Sequence, residues 1–106
     1  MPSDTPSHYR LTPKAHQDLE GIWRYTAENW SVTQADKYLD GITSSFDTFV
    51  QTPRIVRERT EFDPPIRVFT HEKHIIVYVI EADHIAIVRL LGGQQDWHSI
   101  LQRIDT

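Results

Sequence analysis

Four side chains in the second half of the chain combine residue types that can cleave RNA without a metal ion: Arg67, Tyr78, Arg89 and His98. Arginine stabilises the negative charge of a pentacovalent phosphate, and tyrosine and histidine can donate or accept protons. A structural interpretation competes with this one, because Tyr78 lies in an apolar run typical of a sheet core. The arginines can also pair with Glu58, Glu61 or Glu81. The sequence favours the structural interpretation, and we assign no catalytic residue.

Six histidines suggest a metal site, and His71 and His74 in the segment HEKH stand closest together. The zinc motif HExxH requires two histidines four residues apart on a helix, so that both reach one ion. HEKH has a spacing of three, lies at a predicted β-turn and has no cysteine to complete a zinc site. We therefore predict solvated turn histidines, no metal ion and no cofactor.

The composition limits the possible partners. The formal net charge is −4, and of the segments 1–52, 53–73 and 74–106 only the middle one has more basic than acidic residues. Because phosphate neutralisation supplies most of the affinity for nucleic acid, this distribution does not predict a nucleic-acid groove. Cysteine is absent, so disulfides and thiol chemistry are excluded. No stretch is apolar enough for a membrane span, and the first ten residues are too polar for a signal peptide, so we expect a cytoplasmic protein.

The candidate residues are positioned mainly by a segment dense in β-branched and aromatic residues, 66–96. Its pattern predicts three antiparallel strands, Ile66–Thr70, Ile75–Ile80 and Ile85–Leu91, joined by turns at 71–73 and 82–84. In the middle strand both alternating sets are apolar, so neither face of the sheet is predicted to be freely solvated. Another part of the chain or a partner must cover the second face.

Two helices are predicted before the sheet. Thr12-Pro13 is a helix start, and apolar residues then recur at helical spacing at Ala15, Leu19, Ile22, Trp23, Thr26 and Trp30. We interpret both tryptophans as packing residues and expect close packing at Gly21. A second helix begins with the capping pattern Ser31-Val32-Thr33-Gln34 and ends at Thr52-Pro53. Its apolar positions are Ala35, Tyr38, Leu39, Ile42, Phe46 and Phe49. The short connection makes the helices an antiparallel hairpin.

Together these elements predict one α+β domain over residues 1–106, with the hairpin packed on the antiparallel meander in two layers. His8–Leu11 is predicted to join the sheet as an N-terminal strand, and Arg54–Thr60 to be either a strand or an irregular crossing. Residues 1–7 are predicted to form a loose tail. Residues 97–106 are predicted to be a tail or a short helix within Asp96–Arg103, after a turn at Gly92-Gly93.

The order and spacing of these residues match a known family. The pattern lies in YRLTPKAHQDLEGIWRYTAENW and continues through Ala35, Tyr38, Leu39, Ile42, Pro53-Arg54, Ile66-Arg67, Ile75–Tyr78 and Ile87–Arg89. Over about Tyr9–Asp96 the chain resembles the ParE branch of the RelE/ParE toxin superfamily, the toxins of bacterial type II toxin–antitoxin systems. The resemblance implies a strand, a helical hairpin and a sheet of three or four further strands, in agreement with the pattern above.

The resemblance also implies a function. ParE-type toxins inhibit or poison DNA gyrase as protein-binding inhibitors and are neutralised by a ParD-like antitoxin, whose extended C-terminal region wraps over the toxin. On this basis we predict that Arg67, Arg89, Asp96 and Trp97 contact the target. We predict that Ile22, Trp23 and Phe69 contact the antitoxin, and that an uncovered apolar sheet face and the groove beside the hairpin receive it.

One segment departs from the family pattern. A leucine-histidine-glycine run followed by basic residues and an aspartate is common after the last strand, whereas this chain reads Leu91-Gly92-Gly93-Gln94-Gln95-Asp96. Gly92 removes an acid–base group and the glutamines remove positive charge, which weakens a ribonuclease interpretation. The alternative is a RelE-like ribosome-dependent mRNA endoribonuclease using Arg67, Arg89 and His98. A third possibility is a toxin-like scaffold that has lost activity.

Overall fold

The computed structural model describes residues 6–102, and its elements follow the order predicted from the sequence. They are β1 (His8–Leu11), α1 (Pro13–Asn29), α2 (Val32–Gln51), β2 (Glu58–Arg59), β3 (Ile66–His71), β4 (His74–Ile80), β5 (His84–Gly92) and α3 (Trp97–Gln102). The α+β architecture, with a helical hairpin on a mainly antiparallel sheet, is therefore confirmed. The segment predicted as a strand or a crossing contains a strand of two residues within an irregular path.

The sheet has the strand order β1-β5-β4-β3-β2. β3, β4 and β5 form the predicted antiparallel meander, and β2 pairs with β3. β1 pairs with β5 in parallel, with His8 opposite His84 and Leu11 opposite Ile87. β1 and β5 can pair in parallel because the helical hairpin and the rest of the sheet provide the long connection that parallel strands need.

Side-chain caps fix where both long helices begin. The Thr12 hydroxyl accepts a hydrogen bond from the Ala15 N–H at 3.1 Å and donates one to the Val88 carbonyl at 2.8 Å. The Ser31 hydroxyl accepts from the Gln34 N–H at 3.0 Å. The predicted helix starts are confirmed, and Thr12 also ties the start of α1 to β5.

The inner face of the sheet packs against the hairpin. Fully buried side chains of α2 meet fully buried side chains of the strands there: Ile42, Phe46, Phe49, Ile76, Tyr78, Ile85 and Ile87. The rings of Phe49 and Tyr78 stack with their centroids 4.1 Å apart. Burying each of these large side chains contributes roughly 1.5–3 kcal/mol.

The outer face of the sheet is covered by the chain itself. Phe62, Leu101 and partly buried Trp97 pack against Ile75 and Val77, which are 4% and 0% exposed. The prediction that a second apolar face is left uncovered for a partner is therefore wrong. The loop around Phe62 and helix α3 supply the cover that the apolar pattern of β4 requires.

Three further expectations differ from the structure. Trp30 is 62% exposed, because α1 ends at Asn29 and the tryptophan lies outside its buried stripe. A Cβ atom built at Gly21 meets nothing within 4 Å, so this glycine does not mark close packing. Pro6 is buried and the Ser7 N–H donates to the Asp83 carbonyl, so these two positions of the expected tail are held. Met1–Thr5 and Arg103–Thr106 lie outside the described residues.

The turn at Gly92-Gly93 is present, and close approach explains one of its glycines. A Cβ atom at Gly93 would lie 3.3 Å from the Lys73 carbonyl oxygen, which accepts a hydrogen bond from the Gly93 N–H.

Within residues 6–102, no helix is long and apolar enough to cross a membrane.

Candidate binding surfaces

Arg89 is engaged by an aspartate on the first helix. Its Nε lies 2.8 Å from Asp18 Oδ2 and its Nη2 lies 3.1 Å from Asp18 Oδ1, and the two side chains are only 15% and 16% exposed. The same Oδ2 accepts the Leu90 N–H at 2.9 Å. β1 pairs with β5 only as far as Ile87, so Asp18 satisfies a β5 backbone donor beyond the end of that pairing.

Arg67 and Tyr78 are opposite each other on β3 and β4, and both reach the segment between α2 and β2. Arg67 Nη1 donates to the Val56 carbonyl at 2.6 Å, and the Tyr78 hydroxyl donates to the Pro53 carbonyl at 2.7 Å. Burial raises the pKa of Tyr78, against an opposing effect of the Arg67 charge. The hydroxyl therefore stays protonated at neutral pH and anchors the crossing segment.

The four side chains considered for RNA cleavage are not brought to one place. Arg67 is directed to Val56, before β2, whereas Arg89 is directed to Asp18 on α1. His98 lies on the outer face, with its ring centroid 4.6 Å from that of Phe62 and its Nε2 3.9 Å from Glu61 Oε2. Tyr78 lies fully buried in the inner core.

Asp96 and Trp97 lie together at the start of α3, after the turn. The Ser99 N–H is 3.4 Å from Asp96 Oδ1. Trp97 is half-buried, and the Arg59 guanidinium carbon lies 5.3 Å from its ring centroid in a cation–π contact. Residues 93–96 are exposed, so of the four predicted target residues only Asp96 and Trp97 lie in or next to this exposed stretch.

The three predicted antitoxin residues are all partly buried but occupy different surroundings. Ile22 packs against the inner core. Phe69 packs edge-on against Phe49, with ring centroids 5.1 Å apart. Trp23 faces the seam between the helices, where its Nε1 donates to Asp36 Oδ1 at 2.8 Å. The structure therefore places Trp23, and not the other two, in an open groove.

That groove, here called the helix groove, lies between α1 and α2 and has a volume of about 870 Å³. It is lined by His16, Leu19, Glu20, Trp23, Arg24, Asp36, Leu39, Asp40 and Thr43. Leu19, Trp23 and Leu39 are its apolar part, and Asp36 and Asp40 are acidic. The residues that line the groove recur at spacings of three and four on both helices. The buried residues of each helix have the same spacing, so spacing alone does not distinguish the groove from the core.

The histidines of HEKH are partly buried and not freely solvated, which differs from the prediction. The turn falls at Glu72-Lys73, with Glu72 at φ 51°, and His71 and His74 pair across it. The Tyr38 hydroxyl lies 2.7 Å from His74 Nδ1, and the Tyr38 ring packs edge-on against His71. Burial, together with the charges of His71 and Lys73, lowers the pKa of His74. Tyr38 of α2 packs against the end of the β3–β4 hairpin, and the turn pattern in the sequence does not reveal this contact.

Comparisons with known proteins agree with this fold. The sequence model of the family described as ParE toxin of type II toxin-antitoxin system, parDE, matches residues 9–97. Toxin ParE1 of Mycobacterium tuberculosis is 34% identical over 91 residues, which cover 85% of this chain and 93% of the relative. Toxin ParE of Escherichia coli is 28% identical over 80 residues, covering 76% and 78%.

A solved structure described as a chromosomal ParDE TA system from P. aeruginosa superimposes with a TM-score of 0.72. It covers 85% of this chain and 98% of that chain, and at 22% identity it supports the fold alone. The sequence matches go further than the fold. The chain belongs to the ParE family of toxins of type II toxin–antitoxin systems.

Proposed function

We propose that this toxin acts in the cytoplasm by binding and inhibiting or poisoning DNA gyrase, without a catalytic step of its own, and that a ParD-like antitoxin neutralises it. The observation that carries the proposal is the engagement of the candidate catalytic groups. Asp18 binds Arg89 bidentately. Arg67 donates a hydrogen bond to the Val56 carbonyl, and the hydroxyl of buried Tyr78 donates one to the Pro53 carbonyl. A nuclease needs such groups converging on one phosphate.

The helix groove supports the antitoxin part of the proposal. Its apolar side chains, Leu19, Trp23 and Leu39, suit an amphipathic segment that inserts apolar anchors. Asp36 and Asp40 on the α2 side suit a basic side chain of the partner. Ile22 and Phe69 do not line the groove but pack against the inner core, and we propose that they act mainly through packing.

The start of α3 supports the target part of the proposal. Trp97 and Asp96 follow an exposed turn, and Trp97 is in contact with Arg59. Tryptophan and arginine are both enriched among the residues that dominate protein interfaces. Arg67 and Arg89 remain proposed target residues. To contact the target directly, each would have to break its hydrogen bonds inside the toxin or use its remaining N–H groups.

The experiment uses purified toxin, purified gyrase and relaxed plasmid. The proposal expects loss of supercoiling or accumulation of cleavage complexes at near-stoichiometric toxin, and reversal when the ParD-like antitoxin is added first. Unchanged gyrase at a large molar excess of folded toxin contradicts it. In parallel, cells induced for the toxin alone are examined for codon-specific mRNA cuts, which the RelE-like alternative requires. Absence of any growth arrest supports a scaffold that has lost activity.

A further inference from the structure

Two histidines and an aspartate converge where β1 and β5 begin, away from the helix groove and from α3. His8 and His84 are direct partners in the parallel pairing, and their rings lie 5.7 Å apart at 23°. Asp83 Oδ1 is 2.7 Å from His84 Nδ1. One ligand atom from each of the three residues lies within 4.8 Å of the others. Among residues 6–102, no other three histidine, cysteine, aspartate or glutamate side chains bring their ligand atoms within 4.8 Å of one another.

We propose that His8, Asp83 and His84 form a binding site for a divalent transition-metal ion such as Zn²⁺. Two imidazoles and a carboxylate are ligands that Zn²⁺ accepts, and water can complete its coordination. Imidazole also favours zinc, copper and nickel over magnesium and calcium, which prefer oxygen ligands.

The geometry needs only a small adjustment to accept the ion. Ligand atoms about 2.1 Å from a tetrahedral zinc ion lie about 3.4 Å apart, and the three here lie within 4.8 Å. Side-chain rotation supplies the difference, because Asp83 is 72% exposed in the turn between β4 and β5. The Ser7 hydroxyl lies 2.9 Å from His8 Nδ1 and fixes that ring, as outer-sphere partners do in metal sites.

The other histidine pair in the sheet provides a contrast within the same chain. His71 and His74 also face each other across paired strands. His71 Nε2 is buried, however, 3.4 Å from Glu72 Oε2 and 3.1 Å from where a Cβ atom of Gly41 would lie. Within residues 6–102, no third ligand atom joins His71 and His74 in a set within 4.8 Å, as Asp83 joins His8 and His84.

Metal binding would pin the sheet's edge strand. β1 has only four residues and its partner β5 begins at His84, so an ion shared by His8 and His84 links the two strands at their first pair. Since the unfolded chain does not hold these residues together, the ion would bind the folded state preferentially and stabilise it. At a concentration one hundred times the dissociation constant, we expect a rise in Tm of about 10 °C.

The experiment uses the full chain without a histidine tag, after treatment with a chelator. Zn²⁺ is titrated by calorimetry, Tm is measured with and without the ion, and the histidine imidazole resonances are followed by NMR. Mg²⁺ is the ion control. His8→Gln, Asp83→Asn and His84→Gln test the ligands, and His16→Gln, an exposed histidine on α1, is the matched control. Asp83→Asn alters an exposed turn side chain and so keeps the test valid if a histidine variant unfolds.

The proposal expects one Zn²⁺ per chain, perturbation of His8 and His84 resonances first, and affinity reduced at least about tenfold by each ligand variant. His16→Gln and Mg²⁺ should leave binding and Tm unchanged. No saturable Zn²⁺ binding overturns the proposal. Binding that survives all three ligand substitutions, or that perturbs other histidines instead, also overturns it. Gyrase inhibition is not a readout here, so failure of this site and failure of the proposed function are separate results.

Discussion

Asp18 and Arg89 lie 71 positions apart and form a bidentate ion pair, with distances of 2.8 and 3.1 Å, that joins the first helix to the last strand. Because Asp18 also accepts the Leu90 N–H, one carboxylate satisfies three donors at the edge of β5. Arg89 was predicted as a target residue, so its role inside the toxin must be separated from any role at the target.

Removing one partner of this pair should destabilise the toxin. Asp18→Ala leaves the guanidinium partly buried without its counter-charge, and we expect a loss of about 3 kcal/mol in the free energy of unfolding. Urea unfolding measures it, with Asp47→Ala on the exposed face of α2 as control. The double variant Asp18→Ala/Arg89→Ala should lose less than the sum of the single losses. Additive losses, or a cost equal to that of the control, would contradict a coupled pair.

The same variants distinguish a structural Arg89 from a target-binding one. If Arg89 acts only through the fold, Asp18→Ala and Arg89→Ala should reduce gyrase inhibition in proportion to the fraction of folded toxin. If its guanidinium contacts gyrase, Arg89→Ala should reduce inhibition further, at equal folded concentration. The measurement is the toxin concentration for half-inhibition, normalised to folded protein.

Trp97 should be needed for the target more than for the fold. We expect Trp97→Ala to weaken gyrase inhibition at least about tenfold, since tryptophan is enriched among the residues that carry most of the binding energy of an interface. Far-UV circular dichroism and urea unfolding check that the variant is folded, because Trp97 also packs against the outer core. Trp30→Ala, at the exposed tip of the hairpin, is the matched control and should inhibit gyrase normally. Equal effects of the two substitutions would remove Trp97 from the proposed target surface.

Trp23 should be the strongest antitoxin contact among the three predicted residues. Trp23→Ala removes the largest apolar side chain of the helix groove, and we expect at least about a tenfold weaker antitoxin affinity by calorimetry. Tyr25→Ala, exposed on the same helix outside the groove, is the control. Phe69→Ala should instead lower the unfolding free energy by about 3 kcal/mol, because its ring packs on Phe49. An unchanged affinity for Trp23→Ala would place the antitoxin elsewhere.

Stability should fall as the pH falls below neutral, and His74 should contribute to that fall. Its pKa in the folded state is lowered from the usual 6.5, mainly by burial, with the charges of His71 and Lys73 adding to the effect. The unfolded chain therefore binds the proton first, so the stabilisation is complete above pH 6.5 and is lost as the pH falls through the folded pKa. His74→Gln should reduce the decline of the urea midpoint as the pH falls below 7, whereas His16→Gln should not. A slope unchanged in His74→Gln would contradict the assignment.

The elements themselves were predictable because their signals are local. Thr12-Pro13 and Ser31 mark helix starts by capping chemistry, and the β-branched runs of β3 to β5 mark strands. What covers the outer face depends on Phe62 and Leu101 reaching Val77 over long sequence separations, which periodicity does not encode. His71 and His74 read as turn residues for the same reason, since only the docking of Tyr38 buries them.

The surfaces were less predictable than the fold. Trp23 and Trp30 are seven residues apart, so a helix would place them on the same face. Trp23 lines the helix groove, whereas Trp30 is exposed beyond the end of α1. Arg89 appears as a single charge in a strand, and its partner Asp18 cannot be identified without the packing of α1 on β5. His8 and His84 become neighbours only through the parallel register of β1 and β5.

The decisive measurement is gyrase supercoiling of relaxed plasmid with purified toxin, with and without the ParD-like antitoxin. We expect inhibition or trapped DNA breaks at near-stoichiometric toxin, abolished by prior addition of the antitoxin. Unimpaired supercoiling at a large excess of folded toxin, together with mRNA cleavage on induction, would contradict it and favour the RelE-like alternative.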